Sequence, residues 1–76
     1  MPSRKSLPNR TLGEAIRVAR TERGFSQEDF ARSASLDRSY YGAIERGEFN
    51  VTVDTLVKIA AGLGVRVAYL FQRAKL

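Results

Sequence analysis

Seventy-six residues make one domain, of a size that buries only about 60% of its unfolded surface. The chain has no cysteine and no histidine, which excludes disulfides and thiolate zinc sites and removes the commonest general base and metal ligand. The formal charge is +5, spread as +4 over residues 1–25, −2 over 26–50 and +3 over 51–76. No apolar run approaches the roughly 20 residues of a membrane span. No signal peptide is visible either, and cytoplasmic residence is the expectation.

The opening MPSRKSLPNR has two prolines, basic and amide side chains, and no apolar periodicity. It reads as a mobile arm over residues 1–10. A frayed terminus and a basic arm that reaches DNA through Arg4, Lys5 and Arg10 both fit. Residues 11–76 then form the domain. Thr11 with Glu14 three positions on is a capping box, so the first helix is expected to begin there. Leu12, Ala15, Ile16 and Ala19 form its buried stripe at i, i+3, i+4, i+7. Gly24 closes the helix. Arg20 flanks the stripe. Arg17 lies further out, as a phosphate contact or a solvated charge.

The stretch Ser26 to Arg46, SQEDFARSASLDRSYYGAIER, reads as two short helices joined by a tight turn. Ser26 caps the first, with Asp29 completing an acidic capping box. Ser35 and Leu36 form the turn, and Asp37 caps the second helix, which stops at Gly47. Tyr41 and Ile44 point back at Phe30, Ala31 and Leu36. At about 100° per residue, Ser39, Gly42, Ala43 and Arg46 lie opposite them, with Arg38 and Tyr40 flanking. Hydrogen-bonding side chains at the front and small residues behind suit a helix whose N-terminal end enters a major groove. An ordinary helical hairpin with a solvated face fits the same pattern.

Beyond the loop GEFNVT, Thr52 caps a fourth helix. Val53, Leu56, Val57, Ala60 and Leu63 give its stripe, and Gly64 closes it. Asn50 and Thr52 before a helix N-terminus make a phosphate site, and plain capping is compatible with that. In the tail VRVAYLFQRAKL, Val65, Val67, Tyr69 and Phe71 alternate like a strand, while Val67, Leu70 and Phe71 equally fit a helix. Helix is the favoured reading. The tail holds more apolar surface than one small core needs. That suggests a twofold dimer interface at Val67, Tyr69 and Phe71, with Val67 and Tyr69 exposed on the monomer.

Chemistry for catalysis is missing. The six glycines form no phosphate loop, no histidine activates a serine, and the only clustered carboxylates, Glu28 and Asp29, are adjacent. No catalytic residue, metal site, cofactor or small-molecule ligand is implied.

FSQEDFA, LDRSYY and AIERGEFNVTVDTLVKIAAGLGV together resemble the phage repressor and Cro type of helix-turn-helix protein, the XRE-like family. The resemblance covers about Thr11 to Phe71. It is nearest the small controller proteins of restriction–modification systems. Two positions depart from the family: Ser35 stands where glycine is usual, and Tyr41 where a branched aliphatic is usual. The resemblance implies an all-α fold, a compact five-helix bundle containing a helix-turn-helix, like the lambda repressor DNA-binding domain. It implies a sequence-specific transcription regulator, a repressor or controller protein, acting as a homodimer on a pseudo-palindromic operator in double-stranded DNA. Arg38, Ser39, Tyr40 and Ala43 are then the base-reading candidates. Gln27, Arg17, Arg46, Asn50 and Thr52 are the phosphate candidates, which position without reading sequence. Arginine and glutamate pair in this family at the positions of Arg20 and Glu45, which become a structural brace. The alternative is an antitoxin-like or adaptor module whose main partner is another protein.

Overall fold

Local signals in the sequence account for most of the element boundaries. In the computed structural model, which describes residues 6–76, the order is α1 Leu7–Glu22, α2 Gln27–Ser33, α3 Arg38–Glu45, α4 Val53–Leu63 and α5 Val67–Arg73. Arg4 and Lys5 of the expected arm lie outside the described residues. Ser26, Asp37 and Thr52 cap α2, α3 and α4, each accepting from the backbone N–H three residues on.

The start of α1 corrects the sequence reading. Ser6, not Thr11, is the N-cap, accepting from the Asn9 N–H at 3.3 Å, and Pro8 sits in the first turn, where no donor is needed. Thr11 Oγ1 instead donates back to the Pro8 carbonyl at 3.2 Å. The boundary expected at residue 10 therefore falls inside α1. This extra turn left no apolar period to read, because Leu7 is 68% exposed.

The tail is a helix. Leu70 is the residue α5 buries, joined at i+4 by the buried C-cap Ala74, and the apparent alternation is incidental. Fully buried Ile16, Phe30, Tyr41, Ile44, Ile59 and Leu70 centre the core. Around it α1 packs on α3, α4 and α5, α2 on α3, and α4 on α5. The buried face of α4 is Leu56, Ile59, Ala60 and Leu63. Val53 and Val57, expected in its stripe, are 75% and 50% exposed. Val67 and Tyr69, expected to be exposed, are instead partly buried against the core, while Phe71 is 36% exposed.

One close approach and one turn set the geometry around α3. At Gly13, any Cβ would collide with the backbone carbonyls of Ile44 and Glu45, so α1 crosses the C-terminal end of α3 backbone to backbone. The turn between α2 and α3 is a Schellman motif: Leu36 N–H donates to the Ala31 carbonyl at 2.8 Å and Ser35 N–H to Arg32 at 3.1 Å. Ser35 occupies the left-handed position at φ 58°. A serine there costs about 1 kcal/mol relative to the usual glycine. Leu36, next in the chain, packs on the core and fixes the entry into α3.

Candidate nucleic-acid interface

The helix pair α2–α3 is held by one polar cluster. Arg20 from α1 donates through Nε and Nη2 to Glu45 of α3, at 2.7 and 3.0 Å. Its Nη1 donates to the Phe25 carbonyl at 2.7 Å. Tyr41 donates its hydroxyl to the same carboxylate at 2.5 Å, and Gln27 Nε2 donates from α2 at 2.9 Å. Arg20 and Glu45 are 8% and 6% exposed. No buried side-chain polar atom among the described residues lacks a partner. Burial pushes the Glu45 carboxyl up, but the hydrogen bonds from Arg20, Tyr41 and Gln27 outweigh it and hold it below the usual carboxylate range. Burial, reinforced by the neighbouring Glu45 carboxylate, pushes the Tyr41 phenol well up, so it stays a donor.

This cluster explains the departure at Tyr41 and the place of Gln27. Tyr41 has an aromatic ring that fills the core beside Phe30, centroids 5.2 Å apart, and a hydroxyl that reaches Glu45 one turn on. The sequence held that signal: a tyrosine at i and a glutamate at i+4 share a helix face. Gln27 was expected to face a phosphate. One of its N–H groups is committed to Glu45 instead, a link that sequence spacing does not reveal.

The outer face of α3 differs from expectation in its middle. Arg38 and Ser39 are exposed, and neither side chain has a hydrogen bond or ion pair among the described residues. Tyr40 is half-buried, its ring 5.8 Å from that of Phe49. Ala43 is 4% exposed, so its methyl group is not offered to a base edge, which corrects its assignment to the reading face. A helical wheel does not reveal this burial; the Glu48 N–H, donating to the Ala43 carbonyl at 2.9 Å, belongs to the Schellman turn at Gly47 that ends α3. Gly42 is also covered, by the side chains of Gln27 and Arg46.

The phosphate candidates are scattered. Arg46 makes a two-point contact with Glu48 at 3.0 and 3.2 Å. Arg17 makes one with Glu14, at 3.0 and 2.5 Å. Both arginines line an open groove along α1, together with Arg10, Arg73 and Lys75. Asn50 Oδ1 accepts from Asn9 Nδ2 at 2.8 Å, tying the loop to α1. Thr52 Oγ1 accepts from Thr55 N–H at 3.1 Å and is the cap it was expected to be.

The helix-turn-helix family model matches residues 16–70. The chain belongs to this family. Within it, the chain is 45% identical over 61 residues to the control protein C.MunI of a Mycoplasma species, covering 79% of this chain and 82% of that one. Among solved helix-turn-helix structures, the restriction–modification controller protein C.AhdI from Aeromonas hydrophila superposes with a TM-score of 0.80. It is 40% identical, over 82% of this chain and 94% of that one. The tetramer of controller protein C.Esp1396I in complex with its natural 35 base-pair operator matches with a TM-score of 0.82. That chain is 34% identical, and 92% of each chain is covered.

The helix-turn-helix brace generates a paired prediction. Arg20→Ala and Glu45→Ala each strand a buried charge and should each lower stability by about 3–5 kcal/mol, with the double variant well short of the sum. Because folding lowers the Glu45 pKa below 4.5, this stabilisation is complete above pH 4.5 and is lost as pH falls through the folded value. Urea titrations across pH 3–7 (a range spanning ordinary carboxylate titration) should show that loss in the wild type and a flatter acid limb in Glu45→Gln. A cycle without coupling contradicts the brace.

Proposed function

We propose that this chain is a sequence-specific DNA-binding transcription regulator, a controller-type protein that acts as a homodimer on a pseudo-palindromic operator. It works by binding rather than catalysis, in the cytoplasm. The observation that carries the reading is the N-terminal end of α3. There Arg38 and Ser39 stand exposed and, among the described residues, without a side-chain partner, while Arg32 on α2 and Arg46 at the C-cap of α3 are ion-paired. In the helix-turn-helix docking geometry that end is nearest the base edges. A free arginine there can donate two hydrogen bonds to guanine O6 and N7. Ser39 and the hydroxyl of Tyr40 supply further donors. Arg46, Arg17, Asn50, Thr52 and the remaining N–H of Gln27 are assigned to phosphates, which set register without reading sequence.

The kinship with controller proteins, and the operator complex of one of them, support the DNA target and oligomeric action. For the homodimer contact the supporting observation is apolar exposure on neighbouring helices. Phe71 on α5 is 36% exposed and Val57 on α4 50%, with Val67 and Tyr69 half-covered beside them. A second copy related by a twofold axis would bury them and place two α3 helices one turn of DNA apart, about 34 Å.

Two measurements test these assignments. Arg38→Ala should cost about 1–3 kcal/mol on the operator and relax preference at one base position per half-site, whereas Arg46→Ala should weaken all sequences evenly and reduce the salt slope by about 1. Profiles across single-base operator variants decide it; if Arg38→Ala keeps every base preference, Arg38 does not read bases. For the dimer, sedimentation at tens of micromolar should give a dimer for the wild type and a monomer of intact helicity for Phe71→Asp. A wild-type monomer at that concentration contradicts the assignment.

A further inference from the structure

Helical spacing places Arg38 and Gly42 of α3 and Arg46, its C-cap, in one row, at i, i+4 and i+8. The centre of that row has no side chain of its own. A Cβ at Gly42 would lie 3.0 Å from Gln27 Oε1, 3.5 Å from Gln27 Cδ and 3.1 Å from Arg46 Nη1. One of these side chains reaches across from α2. The other folds back from the C-cap of α3. Alanine is a better helix former than glycine at such a position, so helix stability does not explain the residue. The space above it does.

The Gln27 carboxamide has its orientation fixed at the other end. Its Nε2 donates to Glu45 Oε1 at 2.9 Å. A carboxylate only accepts, so the nitrogen must face Glu45 and the oxygen must face Gly42. Gln27 makes no other side-chain hydrogen bond among the described residues. One N–H and the lone pairs of Oε1 remain for a ligand.

Building on the DNA-binding reading above, we infer that Gly42 is a positioning residue: it leaves the slot in which the Gln27 carboxamide is clamped between the buried Arg20–Glu45 pair and α3. The clamp presents the free N–H and the oxygen of Gln27 to DNA in one orientation, between Arg38 and Arg46. Ordering that flexible side chain before binding removes a cost that association would otherwise carry. The middle of the DNA-facing surface is therefore made by side chains passing over α3, not by α3 itself.

The test uses the full chain, an operator duplex obtained by selection from random DNA, and a scrambled duplex. Gly42→Ala should melt at the wild-type temperature or above, because only flexible side-chain ends must move. It should bind the operator about tenfold more weakly, the scale of a lost hydrogen bond to a charged group. Gln27→Ala should show a loss of similar size, and the double variant should be no weaker than Gln27→Ala. In nitrogen-edited spectra of the free protein, the Gln27 side-chain amide should be shifted from solvent-exposed glutamines in the wild type and move to their position in Gly42→Ala. Wild-type affinity in Gly42→Ala overturns the inference, as do losses that multiply in the double variant or an unmoved Gln27 amide. A wild type that binds scrambled and operator duplexes equally removes the DNA-reading proposal, and the clamp is then decided by the amide signal alone.

Discussion

The Arg20–Glu45 pair joins three helices and one loop through a single carboxylate and a single guanidinium. Arg20 belongs to α1, Glu45 and Tyr41 to α3, Gln27 to α2, and the Phe25 carbonyl to the connection between α1 and α2. A domain of this size is stabilised by about 5–10 kcal/mol. Stranding either charge would remove a large share of that. An apolar pair of the same volume could hold the helices together as firmly. What the ion pair contributes on this account is direction: two forked groups meet in one geometry only. The close crossing at Gly13 fixes the separation of α1 and α3, and the pair fixes their relative rotation. The attitude of α3 follows from the two together.

Charge on the motif is arranged around that core. Residues 26–50 carry a net −2, an unexpected balance for a surface that meets DNA. The acidic groups are nonetheless engaged locally. Glu28 and Asp29 lie beside Arg32 on α2, Asp37 caps α3, Glu45 is in the brace and Glu48 holds Arg46. None of these contacts involves Arg38. The balancing positive charge lies on α1 and near the C-terminus, where Arg10, Arg17, Arg73 and Lys75 line the groove beside Arg46. Phosphate attraction and base reading are thereby assigned to different parts of the surface.

What the sequence made legible was local chemistry. Ser26, Asp37 and Thr52 announced three helix starts, and Gly47 and Gly64 two ends, because caps act within a few residues. The resemblance around FSQEDFA and LDRSYY carried the fold and the brace. What it obscured depended on contacts between segments distant in sequence. Ala43 looked outward on a helical wheel but is only 4% exposed in the fold. Val53 and Val57 matched a buried stripe that the core does not use. Leu7 broke the apolar period of α1 because it stays 68% exposed, outside the core. Gln27, read as a phosphate contact by its place at a helix start, is tied to Glu45 eighteen positions away. Tyr41 was noticed as a departure, yet its purpose appears only with the carboxylate beside it.

The central claim is that the buried ion pair holds α3 as part of the global structure rather than as a loosely docked helix. Native-state amide hydrogen exchange measures this directly. The account predicts that the amides of Tyr41 to Glu45 in the wild type open only with global unfolding, at the full unfolding free energy. In Glu45→Gln they should open through a smaller, separate fluctuation of α3, while the buried amides of α4 keep exchanging globally. Local, low-energy opening of α3 already present in the wild type, and unchanged by Glu45→Gln, would contradict the account.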